Sequence, residues 1–254
     1  MPTLDGTRAL VTGATSGLGR AMAAALADAG ARVVVTSRHE ARARDVAHEI
    51  GAALALALDV RDERSVEAAV DTTYARLGGL DLLVNNAALG MRTVNPRYLT
   101  DPEPFHTVPP DGFRAVVETK VTGAFLVARA VVPRMLATST GGRVVNISMN
   151  QRTMVRAGFV PYGPAGAALE ALSRVMAADL AGTNVTVNML LPGGATATGM
   201  IPDYVPDEMR ANLIDPAVMG PPIVWLASPE AAGVHDERIV AIEFDRWLQE
   251  RASA

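Results

Sequence analysis

The sequence predicts a single α/β domain built on a mostly parallel sheet. In the first half, short apolar runs that resemble buried strands alternate with helix-like segments. The strands are expected at 8–12, 31–36, 53–58 and 80–84, and the helices at 17–29, 40–50 and 63–77. Strands that alternate with helices indicate a parallel sheet with right-handed crossovers. The length of 254 residues, of which 49% are hydrophobic, suits one large domain with a sizeable core.

The second half continues the same alternation. A long helix is expected from near Asp111 to Leu136, followed by a strand at Gly142–Ile147, a helix at 161–181 and a strand at Val185–Leu191. Residues 89–111 differ, because five prolines lie between positions 91 and 110 with little periodicity. We expect a long loop there, and long loops in compact domains are usually functional. No repeat or linker divides the chain, which predicts one domain over 1–254.

Composition excludes several classes of protein. The net charge of -4 gives no electrostatic footprint for nucleic acid, and no apolar run reaches the ~18 residues that would span a bilayer. Without cysteine, the chain has neither disulfides nor thiolate metal sites. The N-terminus lacks the features of a signal peptide, and we expect a cytoplasmic protein. The only lysine is Lys120, whereas arginine supplies every other basic residue.

The first expected strand leads into a glycine-rich turn that opens a helix, Thr12-Gly13-Ala14-Thr15-Ser16-Gly17-Leu18-Gly19. Glycines at this spacing let the backbone approach a pyrophosphate, and the helix N-terminus offers free N–H groups. A merely tight turn is the alternative. The strand–turn–helix context favours a dinucleotide site, with contacts from Thr12, Gly13, Thr15, Ser16, Gly17, Leu18 and Gly19.

The second strand ends in Ser37-Arg38, where an NAD enzyme usually carries an acidic residue for the ribose 2′-OH. A guanidinium suits a 2′-phosphate by charge and by bidentate geometry, so Ser37 and Arg38 predict NADP(H). The alternative is an ordinary solvated arginine. Asp59 and Val60, at the end of the third strand, either flank the adenine or include a simple helix-capping aspartate.

Together these motifs resemble the short-chain dehydrogenase/reductase family, from residue 6 to about residue 240. The family's TGxxxGxG is matched by 12–19, its NNAG by Asn85-Asn86-Ala87-Ala88, and its strand-end Pro-Gly by Pro192-Gly193. Thr198 resembles the threonine that follows, with one residue of slippage. The resemblance implies a doubly wound Rossmann-type domain with about seven strands. It also implies cofactor contacts from Asn86, Ala87, Pro192, Gly193 and Thr198, and hydride transfer between a nicotinamide and an alcohol or ketone.

The catalytic positions depart from the family's Asn, Ser, Tyr and Lys. Tyr162 matches the tyrosine that acts as acid and base, but the lysine position four residues later is Gly166. The serine position is Met149, and Ser148, one place earlier, is expected to point the other way in an extended strand. The asparagine position is Lys120. Without the family's lysine, reduction should suffer less than oxidation, because a neutral phenol still donates a proton. Asn150 or a loop residue would then have to polarise the carbonyl.

Two interpretations of Lys120 remain open. Its expected helical neighbours are apolar, which places it on an inward face. Either it is a relocated catalytic lysine that reaches toward the space emptied at Gly166, or a site that has lost its activity tolerates it. We favour the second interpretation slightly on sequence grounds.

Several further residues have both a functional and an ordinary interpretation. His106 lies near the expected substrate entrance but is more typical of an idle loop histidine. Met91, Tyr98 and Phe105 either line an apolar pocket or anchor the loop. Arg152 and Arg156 either bind an acidic substrate or form a solvated loop edge, which we favour. We expect His39 on the surface and Trp225 and Leu226 in the core. Residues 240–245 replace the family's usual Gly-Gly strand.

Three functions follow, in order of preference. The first is an NADP(H)-dependent oxidoreductase acting on a small carbonyl or alcohol substrate, with Tyr162 and Lys120 as catalytic residues. The second is an NADP(H)-binding pseudoenzyme without hydride transfer. The third is a lyase or isomerase that forms a Schiff base on Lys120. The resemblance further implies a homodimer or homotetramer, and we expect no metal, nucleic-acid or membrane partner.

Overall fold

The computed structural model describes residues 2–253 and contains one sheet of seven strands, all parallel. Their order is β3-β2-β1-β4-β5-β6-β7. The strands are β1 (Arg8–Val11), β2 (Arg32–Ser37), β3 (Leu54–Ala57), β4 (Leu82–Asn85), β5 (Gly142–Ile147), β6 (Val185–Leu191) and β7 (Arg238–Val240). The direction of strand order reverses between β1 and β4, and in open α/β sheets a ligand crevice forms at such a point, outside the carboxyl ends of the strands.

Helices cover both faces of the sheet. The helices are α1 (Gly17–Asp28), α2 (Glu40–Glu49), α3 (Glu63–Leu77), α4 (Pro110–Val117), α5 (Gly123–Leu136), α6 (Gln151–Met154), α7 (Tyr162–Asp179), α8 (Asp207–Ala211), α9 (Gly220–Ala227) and α10 (Phe244–Ala252). One core lies under α1, α2, α9 and α10, and the other under α3, α5 and α7. Strands such as β1 and β4 are buried on both sides, which explains their nearly continuous apolar runs.

The expected elements are confirmed to within one or two residues, with one instructive exception. The helix predicted from Asp111 to Leu136 begins at Pro110 and is interrupted by a π turn at Glu118–Thr122. A π turn inserts an extra residue into the helix, so the residues beyond it turn to a different side, and such turns are frequent at functional sites. Lys120 lies in the middle of this turn.

The long loop at 89–111 contains two short 3₁₀ turns, Met91–Thr93 and Phe105–Thr107. Met91 and Tyr98 are buried in it and pack with Phe159. Phe105 is 73% exposed, so the expectation that it lines a pocket or anchors the loop is wrong. The loop is therefore held by two side chains near its start and leaves its far end on the surface.

The C-terminal segment is a short strand followed by a helix. β7 has three residues, a 3₁₀ turn follows at Ala241–Glu243, and α10 then packs Phe244 and Trp247 against Trp225 of α9. Leu226 is buried as expected, whereas Trp225 is only partly buried. No helix in residues 2–253 combines the length and apolar character needed to cross a membrane.

Candidate active site

The glycine-rich turn after β1 forms a closely packed cradle with no room for side chains. Gly13 and Gly17 adopt the left-handed region, with φ of 63° and 52°. A Cβ on Gly19 would lie 2.4 Å from both the Asn86 Nδ2 and the Gly13 carbonyl oxygen. Ser16 precedes α1 in an extended conformation and its side chain makes no capping bond. The first N–H groups of α1 therefore face open space, as an anion site requires.

Thr12 and Asn86 brace this turn from behind. The Asn86 and Ala87 amides donate to Thr12 Oγ1, at 2.9 and 3.0 Å, and Asn86 Nδ2 donates to the Thr12 and Gly13 carbonyls. Thr12 is buried and does not reach the cleft described below, so its expected direct contact with a cofactor is replaced by support of the turn. Asn86 and Ala87 do line the cleft.

A basic corner lies where β2 and β3 end. Ser37 accepts a hydrogen bond from the His39 amide, and Arg38 and Arg42 are exposed beside it. Neither arginine belongs to an ion pair among residues 2–253, whereas the nearby Arg44 pairs with Glu40. Arg42 follows Arg38 by four residues across the start of α2. Arg38 precedes the helix, so no helical spacing in the sequence identifies the two arginines as neighbours.

Asp59 lies in the same corner but does not cap α3, since that role belongs to Asp62. The carboxylate of Asp59 accepts two hydrogen bonds from the Arg61 guanidinium, of 2.7 and 3.0 Å, and one from the Arg61 amide. The Arg61 contact, more than the weaker effect of Arg38, lowers the pKa of Asp59. The helix-cap interpretation is therefore wrong, and Asp59 and Val60 both line the cleft.

The segment after β6 forms the opposite lip. Pro192 and Thr198 line the cleft, and the side chain of Thr198 lies 3.0 Å from where a Cβ on Gly17 would be. Gly193, with φ of 105°, lies under Ile242 instead of lining the cleft. Its carbonyl accepts from Asn150 Nδ2 at 2.8 Å. The side-chain amide of Asn150 therefore helps to hold the turn at Gly193. Thr196, which the motif comparison missed, lines the cleft beside Thr198.

One continuous cleft of about 740 Å³ joins these parts. It runs from the basic corner past the glycine cradle to Lys120 and Tyr162. At the cradle and basic corner it is lined by Gly13, Thr15, Ser16, Gly17, Leu18, Gly19, Ser37, Arg38, Arg42, Asp59 and Val60. Its far end contains the catalytic candidates, so the distant sequence motifs meet in a single space.

Tyr162 is the first residue of α7 and faces this far end. Its hydroxyl donates a weak hydrogen bond to Met200 Sδ, at 3.9 Å. Burial raises the pKa of Tyr162 to about 12, with a smaller contribution from Tyr98. At neutral pH the side chain is therefore a neutral phenol that has a proton to donate.

Lys120 points inward from the π turn and is 5% exposed. Its Nζ donates to the Ile147 carbonyl at 3.2 Å and lies 5.7 Å from the centre of the Tyr162 ring. Burial lowers the pKa of Lys120 to about 8, and the nearby charge of Glu170 acts in the opposite direction. The lysine thus titrates close to physiological pH, inside the cleft.

The space above Gly166 is filled, which corrects the expectation that a lysine reaches into it. A Cβ on Gly166 would lie 2.6 Å from Met149 Cε and 2.8 Å from its sulfur. Met149 therefore occupies the volume that a side chain at position 166 would need. Ser148 is among the residues that line the cleft, and its hydroxyl donates to Glu170, which also accepts from Arg238 at 2.9 Å.

The remaining candidates separate clearly. Arg156 lines the cleft and stacks over Phe159, with 4.5 Å from its guanidinium carbon to the ring centre. Arg152 is exposed and does not line the cleft. His106 is exposed on the loop, and His39 is exposed at the start of α2. Neither imidazole ring makes a hydrogen bond within residues 2–253.

The residues present fit a dinucleotide. The glycine turn is packed too closely to accept a side chain at Gly13, Gly17 or Gly19, so its backbone lines the cleft directly, and two unpaired guanidinium groups stand at one end. No group of three or more His, Asp or Glu side chains in residues 2–253 is arranged to hold a metal ion.

Comparison with known proteins agrees with this geometry. The short chain dehydrogenase family model matches residues 7–209. The 3-oxoacyl-(acyl-carrier-protein) reductase of Vibrio harveyi is 32% identical over 245 residues, covering 93% of this chain and 96% of the relative. A probable NADP-dependent dehydrogenase of Haemophilus influenzae is 31% identical over 239 residues, covering 90% and 91%.

Solved structures give the same result. A 3-ketoacyl-(acyl-carrier-protein) reductase from Brucella melitensis, complexed with NADH, has a TM-score of 0.82 at 29% identity and covers 94% of this chain and 97% of its own. A short chain dehydrogenase from Burkholderia cenocepacia, in complex with NADP, has a TM-score of 0.80 at 29% identity, covering 93% and 96%. The similar proteins thus bind nicotinamide cofactors. The chain belongs to the short-chain dehydrogenase/reductase family of oxidoreductases.

Proposed function

We propose that the chain is an NADP(H)-dependent reductase of a ketone or aldehyde, with Tyr162 as the proton donor and Lys120 as the nearby cation. The observation that carries the proposal is the continuous cleft, which joins the glycine cradle to a protonated phenol and a titratable amine. The named relatives, reductases and dehydrogenases, favour this function over the pseudoenzyme and the Schiff-base enzyme.

The preference for NADP(H) rests on the basic corner. Arg38 and Arg42 carry positive charge where a ribose 2′-substituent would lie, and neither is neutralised by a carboxylate of the described residues. Asp59, the nearest acid, is occupied by Arg61. A phosphate gains charge-assisted hydrogen bonds here that a hydroxyl does not. The remaining cofactor contacts fall to Thr15, Ser16 and Leu18 at the cradle, with Asn86, Ala87, Pro192 and Thr198 around it.

The direction of the reaction follows from Tyr162. When bound, the cofactor supplies the hydride. The phenol of Tyr162 donates its proton to the substrate oxygen, which suits a group whose pKa is about 12. Alcohol oxidation would need a base in the same place, and almost no tyrosinate exists near neutral pH. Reduction is therefore the favoured direction.

Lys120 supplies the positive charge that the family pattern places at position 166. One of its three N–H donors is held by Ile147, so two remain for the cleft. An ammonium in a water-poor site stabilises negative charge that develops on a substrate or tyrosine oxygen. Below pH 8 the amine is charged, and above it this stabilisation fades.

The proposal is tested by following NADPH consumption with a panel of ketones and aldehydes. Substrate-dependent consumption that NADH supports poorly is the expected result. Tight NADPH binding without turnover of any carbonyl would indicate the pseudoenzyme instead.

Two further expectations remain predictions. A homodimer or homotetramer would cover Phe125 on α5 and Val175 on α7, which are 44% and 57% exposed. The cytoplasmic location also remains a prediction.

A further inference from the structure

We propose that the substrate is an apolar ketone or aldehyde that carries a carboxylate, and that Arg156 binds this carboxylate. The inference rests on the proposed reductase function and names the class of substrate that the same cleft takes. It follows from the lining of the cleft beyond Tyr162 and from the surroundings of its three cations.

The substrate end of the cleft has a large apolar surface, with polar and cationic side chains at a few positions. The loop contributes Met91 and Tyr98, the segment before α7 contributes Phe159, and the region after β6 contributes Met200, Met209 and Leu213. Thioether side chains are flexible and polarisable, so they adapt to a hydrocarbon body of varied shape. A substrate that is polar throughout would leave its groups without partners here.

Three cations line this end, and two of them already have another role. Arg92 donates to the Gly199 carbonyl at 2.9 Å and lies 3.8 Å from Asp203. Lys120 donates to Ile147 and stands beside the reacting groups. Arg156 differs, because its guanidinium belongs to no ion pair or side-chain hydrogen bond among residues 2–253.

Arg156 is held in place although it is exposed. It stacks on Phe159, whose ring in turn meets Tyr98 edge to face with 5.5 Å between centres. Phe159, Tyr98 and Tyr162 belong to one cluster. A guanidinium stacked on an aromatic face keeps its N–H edges free for a carboxylate, so the stacking orients the group without consuming its donors.

The same cluster sets the arrangement of the substrate. Tyr162 packs against the aromatic cluster and Arg156 stacks on its Phe159, so the proposed substrate carries its carbonyl and its anion on one apolar body. A single unpaired guanidinium neutralises one charge, which suits a carboxylate better than a doubly charged phosphate. The proposed substrate is therefore a molecule with a reducible carbonyl at one end and a carboxylate at the other.

The test compares medium-chain oxocarboxylic acids with their methyl esters, in matched pairs, by NADPH consumption of the full chain. The acids should show kcat/KM about tenfold above the esters, a modest ratio because an exposed guanidinium is partly screened. Arg156→Gln should bring the ratio close to one, and Arg156→Lys should keep part of it. Arg152→Gln changes an exposed arginine four residues earlier that does not line the cleft; it is the matched control and should preserve the ratio.

A binding measurement keeps the two proposals separate. Titration calorimetry of the same acids and esters, with and without NADPH, should show an acid preference that Arg156→Gln removes. If this preference is found while no pair is turned over, the reductase function is wrong and the anion site stands. If wild-type protein turns over or binds acids and esters equally well, or if Arg152→Gln has the effect expected of Arg156→Gln, the proposed role of Arg156 is wrong.

Discussion

The two ends of the cleft achieve their chemistry by different means. At the cradle, Gly13, Gly17 and Gly19 are needed because they have no side chain, since a Cβ at any of them would crowd neighbouring atoms or strain the turn. At the other end, Tyr162 and Lys120 act through side-chain groups. A backbone site is fixed by sterics and tolerates almost no exchange, whereas a side-chain group can be supplied from another position. The cradle therefore matches its family motif, while the catalytic end departs from it.

The departures at the catalytic end are physically connected. Met149 fills the volume above Gly166, so a large side chain at position 166 requires the Met149 side chain to move. Lys120 brings an amine into the same cleft from the π turn of the facing helix. These three residues are better understood as one rearranged contact set than as three separate losses.

Sequence reasoning recovered most of the sheet and the cradle, because periodicity and glycine spacing depend on local backbone rules. It predicted that Lys120 would point inward, but the π turn at 118–122 was invisible, since no residue type specifies it. The filling of the Gly166 space by Met149 was also missed. That contact joins a strand end to a helix across the fold, and single-sequence patterns carry no such information. Arg42 was missed because its importance depends on how α2 stands beside β2.

The largest expected effect concerns Tyr162. Tyr162→Phe removes the proposed proton donor and should lower kcat for carbonyl reduction by ~10²–10⁴-fold, with NADPH binding unchanged. Tyr74→Phe is the matched control, because the Tyr74 hydroxyl lies buried in α3 without a hydrogen-bond partner. Steady-state kinetics with a turned-over carbonyl measure both. Full activity of Tyr162→Phe would show that the catalytic end does not depend on this side chain.

The next effect is the titration of Lys120. Its pKa is lowered from 10.5 in the unfolded chain to about 8, so between these values the unfolded state binds more protons than the native one. Stability should therefore rise with pH over this window, by about 3 kcal/mol if the whole shift is realised. Lys120→Met should be the more stable protein at pH 7 and should lack this rise.

Chemical denaturation of wild type and Lys120→Met at pH 7 and at pH 10 measures the rise as a difference, which cancels the shared contribution of Tyr162, whose pKa is 10.0 in the unfolded chain. Activity gives a second readout, since reduction by wild-type protein should decline as pH passes about 8. If Lys120→Met keeps the wild-type pH dependence of stability, the lysine is solvated. The contrast between a backbone site at the cradle and a buried side-chain site at Lys120 would then be wrong.

A smaller effect is expected at the basic corner beside the cradle, where the arginine side chains set the choice of cofactor. Arg38→Ala should remove most of a preference for NADPH over NADH that we expect to be about 1.5–3 kcal/mol. Arg42→Ala should remove less. Arg44→Ala, which breaks an exposed pair with Glu40, is the control and should leave the preference intact. Fluorescence titration with both cofactors measures it, and equal affinities in the wild-type protein would contradict the assignment of NADP(H).

The smallest effect, and the most direct check on the rearranged contact set, is the coupling between Met149 and Gly166. Alanine at position 166 gains about 1 kcal/mol of helix propensity inside α7 but must displace the Met149 side chain, which is itself buried. Because these two effects oppose each other, the single variant Gly166→Ala should have a free energy of unfolding equal to or below that of the wild-type protein. Met149→Ala removes the obstruction at the cost of a cavity, and the double variant refills part of that cavity. A double-mutant cycle by urea denaturation should therefore give a favourable coupling of about 1–2 kcal/mol.

The control for this cycle is Ala167→Gly, which is exposed on the same helix, reports helix propensity alone and should not couple to Met149. Gly163→Ala is not suitable as a control, because its Cβ would meet backbone atoms. Additive effects of Met149→Ala and Gly166→Ala would mean that the two departures from the family pattern arose independently, and that the space at position 166 is open to a restored lysine without any change at Met149.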